Sequence, residues 1–198
     1  MKLKDIARLC LKTATIGISE VRGTQWLGNG YASYPVFNLP ELDIDTAAAV
    51  LDIDEEKADM LDVRYVELLP KFDLAEANDE EEALTGVVLR FLYNGKQLDA
   101  WQTEGKRIVL VDPAYTKPYF ADAAEEPALY LRRTLTGTDY IVGKSGMFVT
   151  AVIMPFETDA KMADDLSRKF YRLGAAMDTA AAAMPVDPAT GEVRGADE

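Results

Sequence analysis

The sequence predicts an α+β fold in which antiparallel sheets pack with amphipathic helices, and three observations predict it. Leu3, Ile6, Leu9 and Cys10 recur at the spacing of one helix face. Several short apolar runs are separated by Asn-Gly or Gly turn signals, as in antiparallel hairpins. A second helical pattern follows the last run, with apolar residues at 162, 166, 170 and 173.

The first half of the chain, residues 1–69, starts with the N-terminal helix and continues with strands. Strand-like runs cover 15–21, 25–27 and 31–34, and Gly28-Asn29-Gly30 forms a hairpin turn between the last two. Asp43 or Asp45 can cap a short helix over 46–51, and a further helical turn or two covers 54–61. A strand at 63–66 ends this half.

The connector, residues 70–85, is predicted to be a loop, because its acidic run at 78–82 carries too much charge to pack closely. The second half, residues 86–183, is predicted to consist mostly of strands, at 87–93, 97–103, 107–111, 129–131, 140–142 and 147–154. A short helix or irregular connection falls at 113–120. A long helix follows Asp159, and its Ala-rich end extends to residue 183. Residues 184–198 are predicted to be a disordered tail.

The charge of the chain is concentrated in one segment. The formal net charge is −13, made of +3 in residues 1–37, −13 in residues 38–86 and −3 in residues 87–198. A strongly acidic protein is not expected to bind nucleic acid, but here the helices at both ends keep basic residues. The acidic block is typical of a solvated surface, with a docking surface for a basic partner as the alternative.

The composition argues against most catalytic chemistry. The chain has no histidine and a single cysteine, Cys10, so Ser-His or Cys-His nucleophiles and imidazole or thiolate metal sites are excluded. We therefore expect no enzyme activity and no cofactor. Because no apolar run is long enough to span a bilayer and the first residues lack a secretory signal, we expect a cytoplasmic protein that does not contact membranes.

The remaining catalytic interpretations have simpler explanations. Gly28-Asn29-Gly30 is half of a dinucleotide fingerprint and precedes a strand instead of the required helix. Cys10 lies at an apolar helical position, as a core residue would. Lys144 and Ser145 resemble a Ser-Lys pair but are expected in a turn. The carboxylate pairs that invite a metal or acid-base interpretation are Asp43 with Asp45, Asp52 with Asp54 and Asp164 with Asp165, for which helix caps and solvated surface are the ordinary roles.

Two segments carry a family resemblance. Trp26-Leu27-Gly28-Asn29-Gly30-Tyr31-Ala32-Ser33-Tyr34 resembles a strand-turn-strand hairpin of DNA sliding clamps, and Gly146-Met147-Phe148-Val149-Thr150-Ala151-Val152-Ile153-Met154-Pro155 is similar to their closing strand. The order of helix and strands in each half also resembles a clamp protomer. We detect no sequence repeat between the halves, and the chain is short for two full clamp domains.

This resemblance implies a non-catalytic DNA-binding processivity factor for replication, of phage or mobile-element type, with two small clamp-like halves. Its partners would be duplex DNA, a DNA polymerase and further copies of itself in a homo-oligomer. The resemblance also implies that basic helix residues contact the DNA backbone, and these are Lys2, Lys4, Arg8, Lys12, Lys161, Arg168, Lys169 and Arg172.

Two other functional classes stay open. The acidic segment from Glu41 to Glu82 suits an adaptor or inhibitor that binds a basic protein partner. A metal hydrolase that uses Asp and Glu side chains is the third hypothesis.

Overall fold

The computed structural model describes residues 2–69, 71–121 and 127–183, and it confirms the α+β class. The predicted tail at 184–198 lies outside these residues. The helices are α1 (Lys2–Thr13), α2 (Ala47–Val50), α3 (Glu55–Ala58), α4 (Pro113–Phe120) and α5 (Ala160–Ala183). The strands are β1 (Thr15–Val21), β2 (Thr24–Gly28), β3 (Ala32–Val36), β4 (Asp62–Tyr65), β5 (Glu82–Tyr93), β6 (Lys96–Thr103), β7 (Ile108–Val111), β8 (Pro127–Arg133), β9 (Asp139–Ser145) and β10 (Phe148–Ile153).

All these strands belong to one mixed sheet in the order β4-β1-β2-β3-β10-β9-β8-β5-β6-β7. Antiparallel pairing dominates, but β4 is parallel to β1, with Thr15 opposite Asp62. Parallel neighbours need a crossover connection, and α2 and α3 lie on the chain between β3 and β4. The expectation of purely antiparallel sheets is therefore corrected at this edge.

The central part of the sheet contains a structural repeat that the sequence does not reveal. A helix followed by three antiparallel strands occurs twice, as α1-β1-β2-β3 and as α4-β8-β9-β10. The third strands of the two repeats, β3 and β10, pair antiparallel at the centre of the sheet. From this centre outward, each repeat contributes its third, second and first strand, which gives the order β1-β2-β3-β10-β9-β8. Loops of different length separate the corresponding elements, which hides the repeat in the sequence.

The chain divides into two compact units, Met1–Phe156 and Glu157–Glu198. The first contains every strand of the sheet, so strands from both sides of the expected connector pair with each other. The second contains α5, which begins after Asp159; the Asp159 carboxylate accepts a hydrogen bond from the Met162 amide at 2.6 Å. This start, and the extension of α5 through the Ala-rich stretch, agree with the sequence prediction.

Alternation along the strands buries apolar side chains on both faces of the sheet. Ile141 of β9 belongs to the core on the face of α1 and α4, whereas its neighbours Tyr140 and Val142 belong to a smaller core on the other face. Leu68, Phe72 and Leu74 cover that second face. Trp26 is buried in the same cluster, as its position in a strand predicted.

The two Asn-Gly turns are confirmed, and they form by different means. Asn94 and Gly95 both have positive φ, at 49° and 77°, which matches the twist of a tight hairpin between β5 and β6. The turn after β2 is stabilised by the Asn29 side chain, whose Oδ1 accepts hydrogen bonds from the amides of Tyr31 and Ala32 at 3.2 and 3.0 Å.

Gly28 leads into this turn and has no room for a side chain. An added Cβ would lie 1.9 Å from the Ala32 carbonyl oxygen, which is backbone and cannot rotate away. We expect Gly28→Ala to lower the free energy of unfolding by roughly 1–3 kcal/mol or more, measured as a lower midpoint in urea. Gly86→Ala is the matched control, because nothing lies within 4 Å of its added Cβ. Equal midpoints for the two variants would contradict this packing.

Candidate nucleic-acid interface

The candidate interface is built on helices α1 and α4, which pack side by side on one face of the sheet. Ile6 and Cys10 of α1 and Tyr115 and Tyr119 of α4 are buried and hold the pair against the strands. Asp112 caps α4, accepting a hydrogen bond from the Ala114 amide at 2.9 Å. The buried sides of both helices leave the basic residues of α1 other than Lys2, and Lys117 with Phe120 of α4, toward solvent.

Two ion pairs connect the helices and define their antiparallel arrangement. Lys117 of α4 lies 2.8 Å from the Asp5 carboxylate near the start of α1, and Lys12 at the end of α1 lies 3.0 Å from Asp112 at the start of α4. Asp5 also accepts a hydrogen bond from Arg8 at 3.2 Å. These contacts join the basic side chains of both helices into one patch.

We call this patch the basic helical face: Lys4, Arg8 and Lys12 of α1, and Lys117 of α4. Lys4 is exposed, and the side chains of the other three are 53–66% exposed. Their two carboxylate partners are mostly covered, with Asp5 at 13% and Asp112 at 6%. Four exposed cations above two covered carboxylates present positive charge to solvent, on a protein of net charge −13.

Lys2 does not share this exposure. It was expected on the basic side of α1, yet it is only 8% exposed. The reason is its spacing: Lys2, Ile6 and Cys10 are four residues apart and lie on the buried side, whereas Lys4, Arg8 and Lys12 form the outer row. The sequence already carries this signal, because Lys2 is in register with the apolar residues of α1 and not with its other basic residues.

The four basic residues expected on the C-terminal helix lie on α5, in the second unit. Lys161, Arg168, Lys169 and Arg172 are all exposed. Arg168 pairs with Asp164 at 2.6 Å and Lys169 with Asp165 at 2.8 Å, both one helical turn apart. Asp164 and Asp165 thus have the surface role expected of them, and α5 carries a basic surface of its own.

Cys10 is a core residue, as predicted. It is fully buried, and its thiol donates a hydrogen bond to the Gly28 carbonyl oxygen at 3.3 Å. Burial raises the pKa of the Cys10 thiol to about 12.

Because so little thiolate forms at pH 8, we expect native Cys10 to resist thiol reagents and to react fully once urea unfolds the chain. The measurement is the release of chromophore from a disulfide reagent, with and without denaturant. Stoichiometric reaction of the native protein within minutes would contradict this burial.

A buried ionic cluster lies on the other face of the sheet. The Arg132 side chain of β8 is 0% exposed, and it donates to Glu81 at 2.9 and 2.6 Å and to the carbonyl oxygens of Asp73 and Ala75 at 2.8 and 2.9 Å. Lys144 of β9 donates to the other Glu81 oxygen at 2.5 Å. Arg132 thereby anchors the connector to the sheet at Asp73, Ala75 and Glu81.

This cluster corrects two expectations. The acidic run was expected to be too charged to pack, but Glu81 packs because two basic side chains from neighbouring strands neutralise it. Lys144 was expected in a turn and is instead a buried strand residue. Arg132, which sequence reasoning did not single out, has no exposed side-chain surface for a substrate, so its role is structural.

Among the other carboxylates that invited a metal interpretation, Asp54 caps α3, whereas the N-cap of α2 is Thr46 and not the expected Asp43 or Asp45. Asp43 accepts hydrogen bonds from the Thr46 amide and hydroxyl at 2.8 and 2.7 Å, and Asp54 accepts one from the Lys57 amide at 3.0 Å. The hydrogen bonds from Thr46 lower the pKa of Asp43. Among residues 2–69, 71–121 and 127–183, no group of three or more Cys, Asp or Glu side chains could hold a metal ion.

Comparisons with protein-family models, with curated proteins and with solved structures each gave no match. Within the described part of the chain, no helix has both the length and the apolar character needed to cross a membrane.

Proposed function

We propose that this protein is a non-catalytic, clamp-like DNA-binding processivity factor whose basic helical face meets the phosphate backbone of a duplex. The observation that carries the proposal is the arrangement of charge on α1 and α4. Their cations are exposed and their carboxylate partners are covered, so an approaching polyanion meets positive charge first. Lysine and arginine contacts of this kind bind DNA without reading its sequence.

The architecture supports the proposal in a second way. The two helix-and-three-strand repeats place α1 and α4 next to each other on one face of a continuous sheet. The basic helical face therefore lies on a helix layer over the sheet, where a duplex can reach its cations. Lys161, Arg168, Lys169 and Arg172 of α5 are proposed as a further DNA-contacting surface.

A homo-oligomer is part of the proposal, and the sheet offers a means to form one. Strands β4 and β7 are its edges, and an edge strand presents backbone groups that can pair with another chain; in β7 the Leu110 carbonyl oxygen already accepts a hydrogen bond from the Phe156 amide at 2.7 Å. Pairing of β4 of one copy with β7 of the next would be a head-to-tail contact, which closes into a ring at the right rotation.

We therefore expect a defined oligomer in solution. The 21.8 kDa chain would give about 44 kDa as a dimer or about 65 kDa as a trimer in size-exclusion chromatography with light scattering. A mass of about 22 kDa at every protein concentration would contradict a closed ring.

The clamp function itself is tested by topology. A ring that encloses DNA stays on a nicked circular duplex during gel filtration at moderate salt and slides off once a restriction enzyme makes the duplex linear. Equal retention on circular and linear DNA would overturn the clamp mechanism and leave simple electrostatic binding.

The acidic adaptor is the second candidate function, since four acidic residues of the segment from Glu41 to Glu82 are exposed: Glu41, Asp45, Glu55 and Glu56. Capture of a basic protein without DNA binding would favour it.

A further inference from the structure

A cleft beside the basic helical face gathers three lysines. It measures about 600 Å³ and lies between the β5–β6 turn and the two helices. Lys12 of α1, Lys117 of α4 and Lys96 of β6 line it, together with the turn residues Asn94 and Gly95 and with Asp112. Only Lys12 among these was expected to contact DNA.

The charge of this cleft differs from that of three other cavities in the described residues. Its lining holds three lysines and one aspartate, a formal charge of +2. Three other cavities have linings of zero or negative charge: one with Lys71 and Glu67, one with Glu20 and Glu41, and one with Arg22 and Glu76. A positive cleft on a chain of net charge −13 is suited to an anion.

Lys96 is the distinctive member of the group. Its ammonium lies 5.1 Å from the centroid of the Phe156 ring, a cation–π contact that holds it in place without neutralising it. Among the described residues it has no ion pair with a carboxylate. Lys12 and Lys117 each use one of three ammonium N–H groups on an acidic partner, and more than half of each side chain is exposed.

The start of α4 does not add to this site. Pro113 has no amide hydrogen, and the amides of Ala114 and Tyr115 already donate to the Asp112 side chain and carbonyl oxygen at 2.9 Å each. The three ammonium groups therefore have to supply the recognition. The Lys117 side chain is 58% exposed, so its ammonium can also meet an anion with several oxygens beside its contact with Asp5.

We propose that this cleft binds a phosphate group through Lys96, Lys117 and Lys12. The group is either a phosphate of a DNA backbone or free phosphate. With DNA as the source, the inference rests on the proposed function and extends the basic helical face to the β5–β6 turn. With free phosphate as the source, it stands without that function.

The test is a pair of titrations followed by the amide NMR signals of Gly95 and Ala114, one with inorganic phosphate and one with a short duplex. The inference predicts saturable shifts of both signals with at least one probe, and their loss in Lys96→Gln and in the double variant Lys96→Gln/Lys117→Gln. Lys57→Gln, which removes an equally exposed paired lysine elsewhere, is the control and should keep the shifts.

The outcomes separate the two proposals. Shifts with phosphate but none with DNA would support the cleft and contradict the proposed function. DNA shifts confined to α1, unchanged by the Lys96 and Lys117 substitutions and with no response to phosphate, would overturn the cleft while the proposed function stands. No shift of Gly95 or Ala114 with either probe would also overturn the cleft.

Discussion

Replacing Arg132 by alanine is expected to destabilise the protein by roughly 3–5 kcal/mol, because it removes a buried guanidinium that makes four hydrogen bonds and leaves Glu81 with Lys144 as its one basic partner in the cluster. The substitution deletes a side chain that is 0% exposed and that makes two hydrogen bonds to Glu81. It also removes the Arg132 donor from the carbonyl oxygens of Asp73 and Ala75, of which Asp73 keeps the Tyr140 hydroxyl at 3.1 Å. The measurement is urea unfolding followed by circular dichroism at neutral pH.

Arg133 provides a matched control one residue away. Its side chain is 58% exposed and pairs with Asp139 at the surface, so Arg133→Ala should unfold close to the wild type. Arg132→Lys should recover only part of the loss, since an ammonium cannot span the four contacts of the guanidinium. Similar urea midpoints for Arg132→Ala and Arg133→Ala would show that the connector is not fastened as described.

The second large effect is on DNA binding. The double substitution Lys4→Glu/Arg8→Glu replaces two cations of the basic helical face, and we expect it to weaken affinity for a duplex by more than about tenfold at low salt. If each residue contacts one phosphate, the slope of log affinity against log salt should become shallower by about 1.8. Because these side chains are exposed, thermal unfolding should change little.

A matched double variant separates a local contact from the effect of net charge. Lys57→Glu/Arg64→Glu also reverses two exposed basic residues, and both double variants take the net charge from −13 to −17. This second variant should keep most of the wild-type affinity. Equal losses in both variants would mean that overall charge, and not the basic helical face, governs binding.

Local signals in the sequence were sufficient to predict most elements of the fold. The Asn94-Gly95 pair marked a hairpin because both residues adopt positive φ there. The apolar spacing of Ile6, Leu9 and Cys10 predicted which side of α1 is buried. Each of these features depends on neighbours within one or two turns of the chain.

Features that depend on distant residues were missed. The pairing of β3 with β10 creates the repeat, and the parallel contact of β4 with β1 needs the whole α2–α3 crossover. Glu81 looked like a solvated residue because its partners, Arg132 and Lys144, are 51 and 63 residues away. An ion pair between residues so far apart in the sequence leaves no signal in the residues next to either partner.

The candidate site was predictable to a similar degree. The row of Lys4, Arg8 and Lys12 could be read from α1 alone. Lys117 and Lys96 could not, since only the packing of α4 and of the β5–β6 turn brings them beside α1.

The most direct test of the central claim is the affinity of the wild-type protein for a fluorescently labelled duplex across a series of salt concentrations. We expect saturable binding at low salt, independent of base sequence, with log affinity falling linearly as log salt rises. Absence of binding at low salt, with the protein folded and at concentrations well above those typical of non-specific DNA binding, would contradict it.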